Sequence, residues 1–267
     1  MPTAAAGSLA TNRPRAVSNN YPMNENLEGM NMRILVATVL GLASFATLAA
    51  GEFREVRELD LSADGARRLA IDVGAGSLDV RGIKGQETIE VRATIVVDDA
   101  DEDEGRVFID ERVTISLDLD GDTARLATDV RQRKLGWGSG GRVDVEVIVP
   151  ADLAIRIDDS SGSIDIEDVV ADIVIDDGSG SIDVRNVGNV EIEDGSGSID
   201  VADATGDVYV NDGSGSITIE GVDGTVTIDD GSGSIRVRNV GRDLVIIDAG
   251  SGSVSISDIR GTIEQDG

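Results

Sequence analysis

The sequence predicts an all-β protein: a parallel β-solenoid (β-helix) of about six regular 17–19-residue coils, preceded by an irregular β-rich cap. Three observations support this prediction. A Gly-Ser-Gly-Ser corner returns at nearly constant spacing, aliphatic residues alternate with polar ones on both sides of each corner, and 33 glycines accompany only 2% aromatic residues. Alternation with a period of two is typical of strands, and glycine-rich corners are typical of tight bends between them.

The corner has the form Asp177–Ile182 and returns as Asp194–Ile199, Asp212–Ile217 and Asp230–Ile235. A variant opens the series at Asp159–Ile164, and another closes it at Gly250–Val254, with Ala249 inserted after Asp248. Counted from Ser160, successive corners lie 18, 17, 18, 18 and 19 residues apart. A fixed period in this range indicates stacked structural repeats.

One unit, residues 173–189, shows what a repeat builds. Ile173 and Ile175 flank Val174, so this pair points to one side of its strand. Ile182 and Val184 flank Asp183 and do the same in the next strand. Val187 follows after a second corner, whose equivalents in the other units are residue types that tolerate positive φ. These corner residues are Asp168, Asn186, Asp203, Gly221, Asn239 and Asp258. Two short strands and two corners therefore make one coil.

A single coil cannot fold alone, because its few inward aliphatic side chains do not offset the entropy of ordering the segment. Stacking supplies ladder hydrogen bonds and shared side-chain contacts, which favours a parallel solenoid. A left-handed helix of hexapeptides also uses 18 residues per coil, but its aliphatics would fall six apart, unlike residues 175, 182 and 187. The pattern favours a right-handed coil without fixing the handedness.

The N-terminal 50 residues have a different character. Residues 1–29 show no apolar period and are predicted to be disordered or to result from a start codon assigned too early. Residues 30–50 contain Arg33, an apolar run and small residues before Gly51, which predicts a secretory signal peptide. A membrane anchor is the alternative, although the run is short for a span. We therefore expect a periplasmic or secreted protein, without stable membrane insertion after signal cleavage.

Residues 51–150 are predicted to form the irregular N-terminal part of the solenoid, and residues 151–263 its regular repeats. Predicted strands are Phe53–Leu61, Ala70–Val73, Leu78–Arg81, Thr88–Val97, Val107–Leu119 and Val143–Val149. Residues 70–80 resemble a degenerate copy of the later repeat, so longer coils or a strand-rich cap are expected. Two loops are predicted, Asp98–Glu104 and Gly136–Gly141, the second with the only tryptophan, Trp137. No helix is predicted outside the signal peptide.

The composition restricts the function. A formal charge of −28 repels nucleic acid and anionic lipid, and the chain has neither histidine nor cysteine. The usual nucleophile–base pairs, imidazole metal sites and disulfides are therefore excluded, and no catalytic residue is predicted. A remote alternative is a carbohydrate-active solenoid enzyme, suggested by basic residues that lie close in sequence to carboxylates. These residues are Arg236, Arg238, Arg242, Asp223 and Asp229.

An aspartate precedes each glycine corner, and in a stacked solenoid these aspartates would form a ladder. They are Asp159, Asp177, Asp194, Asp212, Asp230 and Asp248. The first interpretation is that each carboxylate caps its own turn by accepting backbone N–H groups. The alternative is bound calcium, which prefers several oxygen ligands. In calcium-binding β-rolls the aspartate lies two residues past the last glycine, whereas here Asp183 lies three past it, which favours turn capping.

The repeats resemble a known family. Residues Val147–Leu153, followed by reiterated Ile-x-Ile-x-x-Gly-Ser-Gly-Ser-Ile-x-Val, are similar to the bacterial "putative adhesin" β-strand-repeat proteins, which are exported envelope proteins. The resemblance covers roughly residues 55–263. It implies a β-solenoid in the cell envelope and transfers no catalytic or binding residue.

The leading hypothesis is a non-enzymatic exported solenoid that offers a structural or interaction surface in the cell envelope. Outward positions vary between coils while inward ones do not, as at Arg156, Val174, Glu191, Tyr209, Thr227 and Val245. The expected partner is an envelope protein or a surface polysaccharide, and no cofactor is expected other than the calcium of the alternative. That alternative is a calcium-stabilised structural module.

Overall fold

The structure is a computed structural model that describes residues 51–131 and 140–265. The predictions for residues 1–29 and 30–50, and most of the loop around Trp137, lie outside the described residues. In chain order the elements are β1 (Glu52–Ser62), β2 (Arg68–Ile83), β3 (Thr88–Asp98), α1 (Glu102–Arg112), β4 (Val113–Asp120), β5 (Thr123–Val130), β6 (Gly141–Pro150), β7 (Ala154–Glu167), β8 (Ile173–Asp177), β9 (Gly180–Val187), β10 (Val190–Asp194), β11 (Gly197–Ala204), β12 (Val208–Asp212), β13 (Gly215–Val222), β14 (Val226–Asp230), β15 (Gly233–Val240), β16 (Leu244–Asp248), β17 (Ser253–Ile259) and β18 (Ile263–Gln265).

The regular part is a parallel β-solenoid with two strands in each coil, which confirms the predicted fold class. The strands before the glycine corners stack as a first face, β8, β10, β12, β14, β16 and β18. The strands after the corners stack as a second face, β9, β11, β13, β15 and β17. The long strand β7 runs through its corner and contributes to both faces.

Equivalent residues of successive coils lie directly opposite one another. Ile175 pairs with Ile192 on the first face, and Ile182 pairs with Ile199 on the second. These inward aliphatic side chains are sealed from solvent, as Ile192 and Ile199 show with 0% exposure. Because each aliphatic row continues from coil to coil, the core is continuous along the regular part and β-branched side chains pack on like neighbours.

The glycine corner is the tightest point of the stack. Gly180, Gly197 and Gly215 have φ values of +152°, +151° and +157°, which side chains rarely adopt. A methyl group on Gly197 would overlap the carbonyl oxygen of Gly180 in the neighbouring coil, and the same overlap recurs at each step of the stack. Glycine is therefore required here both for its conformation and for the close approach of two backbones.

The second corner also has the predicted conformation. Asp168, Asn186, Asp203, Asn239 and Asp258 have φ between +54° and +62°, and Gly221 has φ of +73°. Backbone groups bridge adjacent coils here, since the Asp168 N–H donates to the Arg185 carbonyl at 3.1 Å. Short polar side chains tolerate this left-handed region, which explains the residue types in the series.

In the N-terminal part, the strand next to the regular repeats belongs to an ordinary coil, and the strands farther from the repeats form an antiparallel cap. β2 pairs in register with β7, with Gly76 opposite Gly162, so residues 70–80 are the degenerate copy that the sequence predicts. On its other side β2 pairs in parallel with β5 and β6. Beyond them the pairing is antiparallel: β4 with β5, β3 with β6, and β1 with β3. The cap is therefore not a set of longer coils.

The prediction that no helix follows the signal peptide is wrong, because residues Glu102–Arg112 form α1. Asp101 caps its N-terminus and makes a capping box with Glu104, within the stretch expected to be an acidic loop. The predicted strand Val107–Leu119 is therefore helical up to Arg112 and extended from Val113. In residues 51–131 and 140–265, no helix is long and apolar enough to cross a membrane.

We expect Gly197→Ala to destabilise the solenoid by about 2 kcal/mol or more, because it adds both backbone strain and overlap with the next coil. Gly74→Ala is the matched control, since a methyl group there meets nothing within 4 Å. Urea unfolding followed by circular dichroism measures the difference. Equal stability of the two variants would contradict the stacking constraint.

Candidate functional site: an aspartate file inside, a groove outside

Five of the six candidate aspartates form a row inside the solenoid, which we call the aspartate file. Its members are Asp159, Asp177, Asp194, Asp212 and Asp230, opposite one another in successive coils. Each continues the inward alternation of its strand, as Asp177 follows Ile173 and Ile175. Their exposed fractions are 6% or less, so the carboxylates lie in the core beside the glycine corners.

One oxygen of each carboxylate caps its turn, which confirms the first interpretation. Asp177 Oδ1 accepts the Ser179 N–H at 3.2 Å, and Asp230 Oδ1 accepts the Ser232 N–H at 3.0 Å. The other three members make the same bond two residues ahead. The second oxygen, Oδ2, is buried and has no hydrogen-bond partner among the described residues in any of the five. Burying such an oxygen is costly, most of all when it is ionised.

The file therefore keeps its carboxyl groups protonated to a higher pH than in a free aspartate. The pKa of Asp159 rises from 3.8 to about 6: burial is the main cause, the Ser161 N–H hydrogen bond opposes it, and the neighbouring Asp177 carboxylate adds to the rise. Burial likewise raises the pKa of the four other members. The repeat spacing predicts that these groups form a ladder, and the alternation of residues 173, 175 and 177 is the sequence signal for their burial, which the prediction did not include.

Asp248 does not belong to the file, contrary to the predicted sixth position. The inserted Ala249 is accompanied by a register shift, and Asp248 pairs with Asp229 instead of Asp230. Asp248 is exposed, and its Oδ1 accepts the Gly250 N–H at 2.8 Å. The regular file thus ends one coil before the last corner.

The aspartate file is a poor match for calcium. Oδ1 of each carboxylate is occupied by a backbone N–H, and the side chains are sealed from solvent. Calcium prefers six to eight oxygen ligands around one point. Among the residues that the structure describes, no group of three or more acidic side chains is arranged to hold a metal ion. Calcium binding remains a prediction.

Of the residues considered for a carbohydrate-active enzyme, Arg236 and Arg238 are separated from Asp229, whereas Asp223 and Arg242 lie in adjacent coils at one corner. Arg236 and Arg238 project from β15 on the second face, and Arg238 forms an ion pair with Glu220. Asp229 lies on β14, on the first face. Elsewhere on the second face Arg81 pairs with Glu167 at 2.7 Å, so charges there alternate between coils as on a solvated surface.

A shallow groove of about 460 Å³ lies on the first face. Its floor includes the outward residues Val174, Glu191, Tyr209 and Thr227, which succeed one another in adjacent coils. Tyr209 is the only aromatic residue after Pro150, which is the signal that could have identified the groove. In the sequence pattern alone, Tyr209 is one of several varied outward positions.

Polar corner residues of successive coils line one side of the groove and are linked by hydrogen bonds from side chains to the side chain or backbone of the neighbouring coil. Asn189 Nδ2 donates to Asp172 Oδ1 at 2.8 Å, and Asn189 Oδ1 accepts the Asp207 N–H at 2.8 Å. Asp207 Oδ1 in turn accepts the Thr225 N–H at 2.8 Å. These three bonds join four successive coils and hold the amide and carboxylate groups at fixed positions beside the tyrosine.

A family model described as Toastrack DUF4097 matches residues 67–264. No curated protein matches the chain significantly. Among solved structures, a "putative lipid binding protein" of Parabacteroides distasonis is 16% identical and covers 80% of this chain and 94% of its own, with a TM-score of 0.40. A "putative cell adhesion protein" of Clostridium sporogenes is 14% identical, covers 80% and 100%, and has a TM-score of 0.35. At these TM-scores the names describe those proteins alone.

We expect the stability of the protein to fall as the pH rises from about 4 to above 6. An acid with a raised pKa in the folded state stabilises the fold fully below 3.8 and loses that contribution as the pH passes about 6. Asp159→Asn should reduce this pH-dependent change in the free energy of unfolding by at most about 3 kcal/mol. Asp158→Asn, which neutralises the exposed neighbour, controls for the general loss of negative charge. Identical pH profiles of unfolding for both variants would refute the coupling.

We expect calcium to leave the thermal unfolding midpoint unchanged, because the oxygen atoms of the aspartate file face the core and Oδ1 already accepts a hydrogen bond. Differential scanning calorimetry with millimolar calcium and with a chelator measures this. A rise in the midpoint with calcium, abolished by Asp194→Asn, would instead support the calcium-stabilised module.

Proposed function

The chain belongs to the Toastrack DUF4097 family, in agreement with the resemblance of its repeats, and we propose that it is a non-enzymatic, exported protein whose groove on the first face binds a surface polysaccharide. The observation that carries this proposal is the single tyrosine of the regular coils, set in a groove beside amide and carboxylate groups that hydrogen bonds hold in place.

The groove chemistry suits a sugar. An aromatic ring packs against the apolar face of a sugar ring, and its O–H group remains available for a hydrogen bond. Asn189 and Asp207 provide donors and acceptors at the corner, and their hydrogen bonds to neighbouring coils restrict the side-chain rotamers that binding would otherwise have to order. Residues held on rigid strands are better placed for recognition than residues on mobile loops.

The charge of the protein restricts the kind of polysaccharide. At −28, the chain repels strongly anionic polymers at low ionic strength, and Glu191 and Asp172 lie in the groove itself. Neutral or amino sugars are therefore the favoured class. Binding without catalysis agrees with the lack of histidine and cysteine and with the separation of Arg236 from Asp229 on different faces.

The expected result of Tyr209→Ala is a loss of binding to insoluble envelope polysaccharide of at least about tenfold in Kd, because the aromatic contact at the groove centre is removed. Tyr209→Phe should retain most of the affinity, since it keeps the ring. Co-sedimentation of the purified chain with envelope polysaccharide measures both.

Val245→Ala is the matched control, because Val245 occupies the same outward row two coils further on and lies outside the groove. Equal binding by Tyr209→Ala and the control would contradict the assignment of the groove. Retention on protein-containing envelope extract but not on deproteinised polysaccharide would instead indicate an envelope protein as the partner.

A further inference from the structure

The last coil that the structure describes is less well sealed than the coils before it. Within the described residues, β17 and β18 pair with a strand on one side only. Val254 and Ile256 of β17 are partly exposed, whereas Ile235 and Val237, one coil earlier, are 1% exposed. Ile263 of β18 is 52% exposed. This end therefore presents apolar side chains together with a row of unpaired backbone groups.

Of the two edge strands at this end, β17 lacks the charges that usually protect an edge, whereas the three-residue β18 carries Glu264. β17 carries one charged residue, Asp258, among seven, and its outward positions are Ser253, Ser255 and Ser257. In the preceding coil the last two of these positions hold Arg236 and Arg238. Charged side chains are the common device by which natural sheets prevent edge-to-edge pairing. Their loss in β17 points to an edge that pairs.

The opposite end of the solenoid is built differently. Its edge strands are β1, with six charged residues among eleven, and β4, with two among eight. Helix α1 lies against this end, where Ile109 is 1% exposed and Gly105 packs on the Phe53 ring. One copy therefore cannot continue the parallel stack onto the N-terminal end of another, which leaves pairing between two identical ends.

We propose that the β17 end is a docking surface for a second copy of this chain, with the two β17 strands antiparallel about a two-fold axis. Full overlap of the seven residues places Ile256 of the two copies opposite each other on the axis. Ser255 of one copy then faces Ser257 of the other. Such an interface is self-complementary and closed, so the assembly stops at a dimer instead of growing into a filament.

Charge and salt give the dimer a distinctive signature. The two copies repel each other through their general negative charge. Each of the two paired strands itself contains only one charged residue, Asp258. Surface charges beyond about 8 Å are screened at physiological ionic strength. Dimerisation should therefore strengthen as salt is raised, unlike an association held by ion pairs.

Sedimentation equilibrium tests the proposal, with the full chain expressed in a host cell and purified in the form that the host produces. A concentration-dependent monomer–dimer equilibrium that tightens with sodium chloride is the expected result. The variant S255R/S257R introduces the residue type that the preceding coil carries at these positions, and it places like charges opposite each other twice across the two-fold axis. We expect the dimer dissociation constant to rise about tenfold or more.

The control variant A202R/T218R adds the same two charges on the second face, away from the end. It should dimerise like the unmodified chain, and circular dichroism should show both variants folded. A monomer at all concentrations, a dimer indifferent to S255R/S257R, or an open-ended filament would each overturn the proposal.

Discussion

Backbone meets backbone at the glycine corner, and this close approach determines the rest of the solenoid. A methyl group on Gly197 would overlap the Gly180 carbonyl oxygen, so a coil can approach the preceding coil to strand spacing only if it carries glycine at this position. The αL corners and the aliphatic rows then follow in register, because every coil repeats the same path. Stability is thus shared between neighbouring coils and does not reside in any single one.

The same register places carboxylates above one another in the core. Each member of the aspartate file stabilises its own turn, because its Oδ1 accepts a hydrogen bond from a backbone N–H beside the corner. Stacking then buries Oδ2 next to further carboxylates, which raises the pKa of the group and favours its protonated form. Turn geometry and charge burial are therefore two consequences of one repeated residue. The outward residues that line the groove, such as Tyr209, differ from coil to coil without affecting either.

The repeat period and the inward aliphatics made the regular coils predictable from the sequence, down to the corner residues with positive φ. The cap was less predictable. Helix α1 has only Gly105 and Ile109 buried, so its sequence lacks a helical apolar stripe, and Val107 and Ile109 mimic the alternation of a strand. The antiparallel pairing of β1, β3 and β4 depends on long-range contacts that no local pattern records. The inserted Ala249 was visible, but the resulting displacement of Asp248 required the strand register.

Distances between spin labels along one outward row test the stacking most directly. Asp79, Asp165, Arg236 and Ser255 belong to one such row on the second face, and the chain has no native cysteine to interfere with labelling. With about 4.8 Å per coil, labels at Asp79 and Arg236 should lie five steps or about 24 Å apart, and labels at Asp79 and Ser255 about 29 Å apart. Double electron–electron resonance should find these separations as narrow distributions with a constant increment per coil. Broad distributions, or separations that do not grow from one coil to the next, would contradict the stacked solenoid.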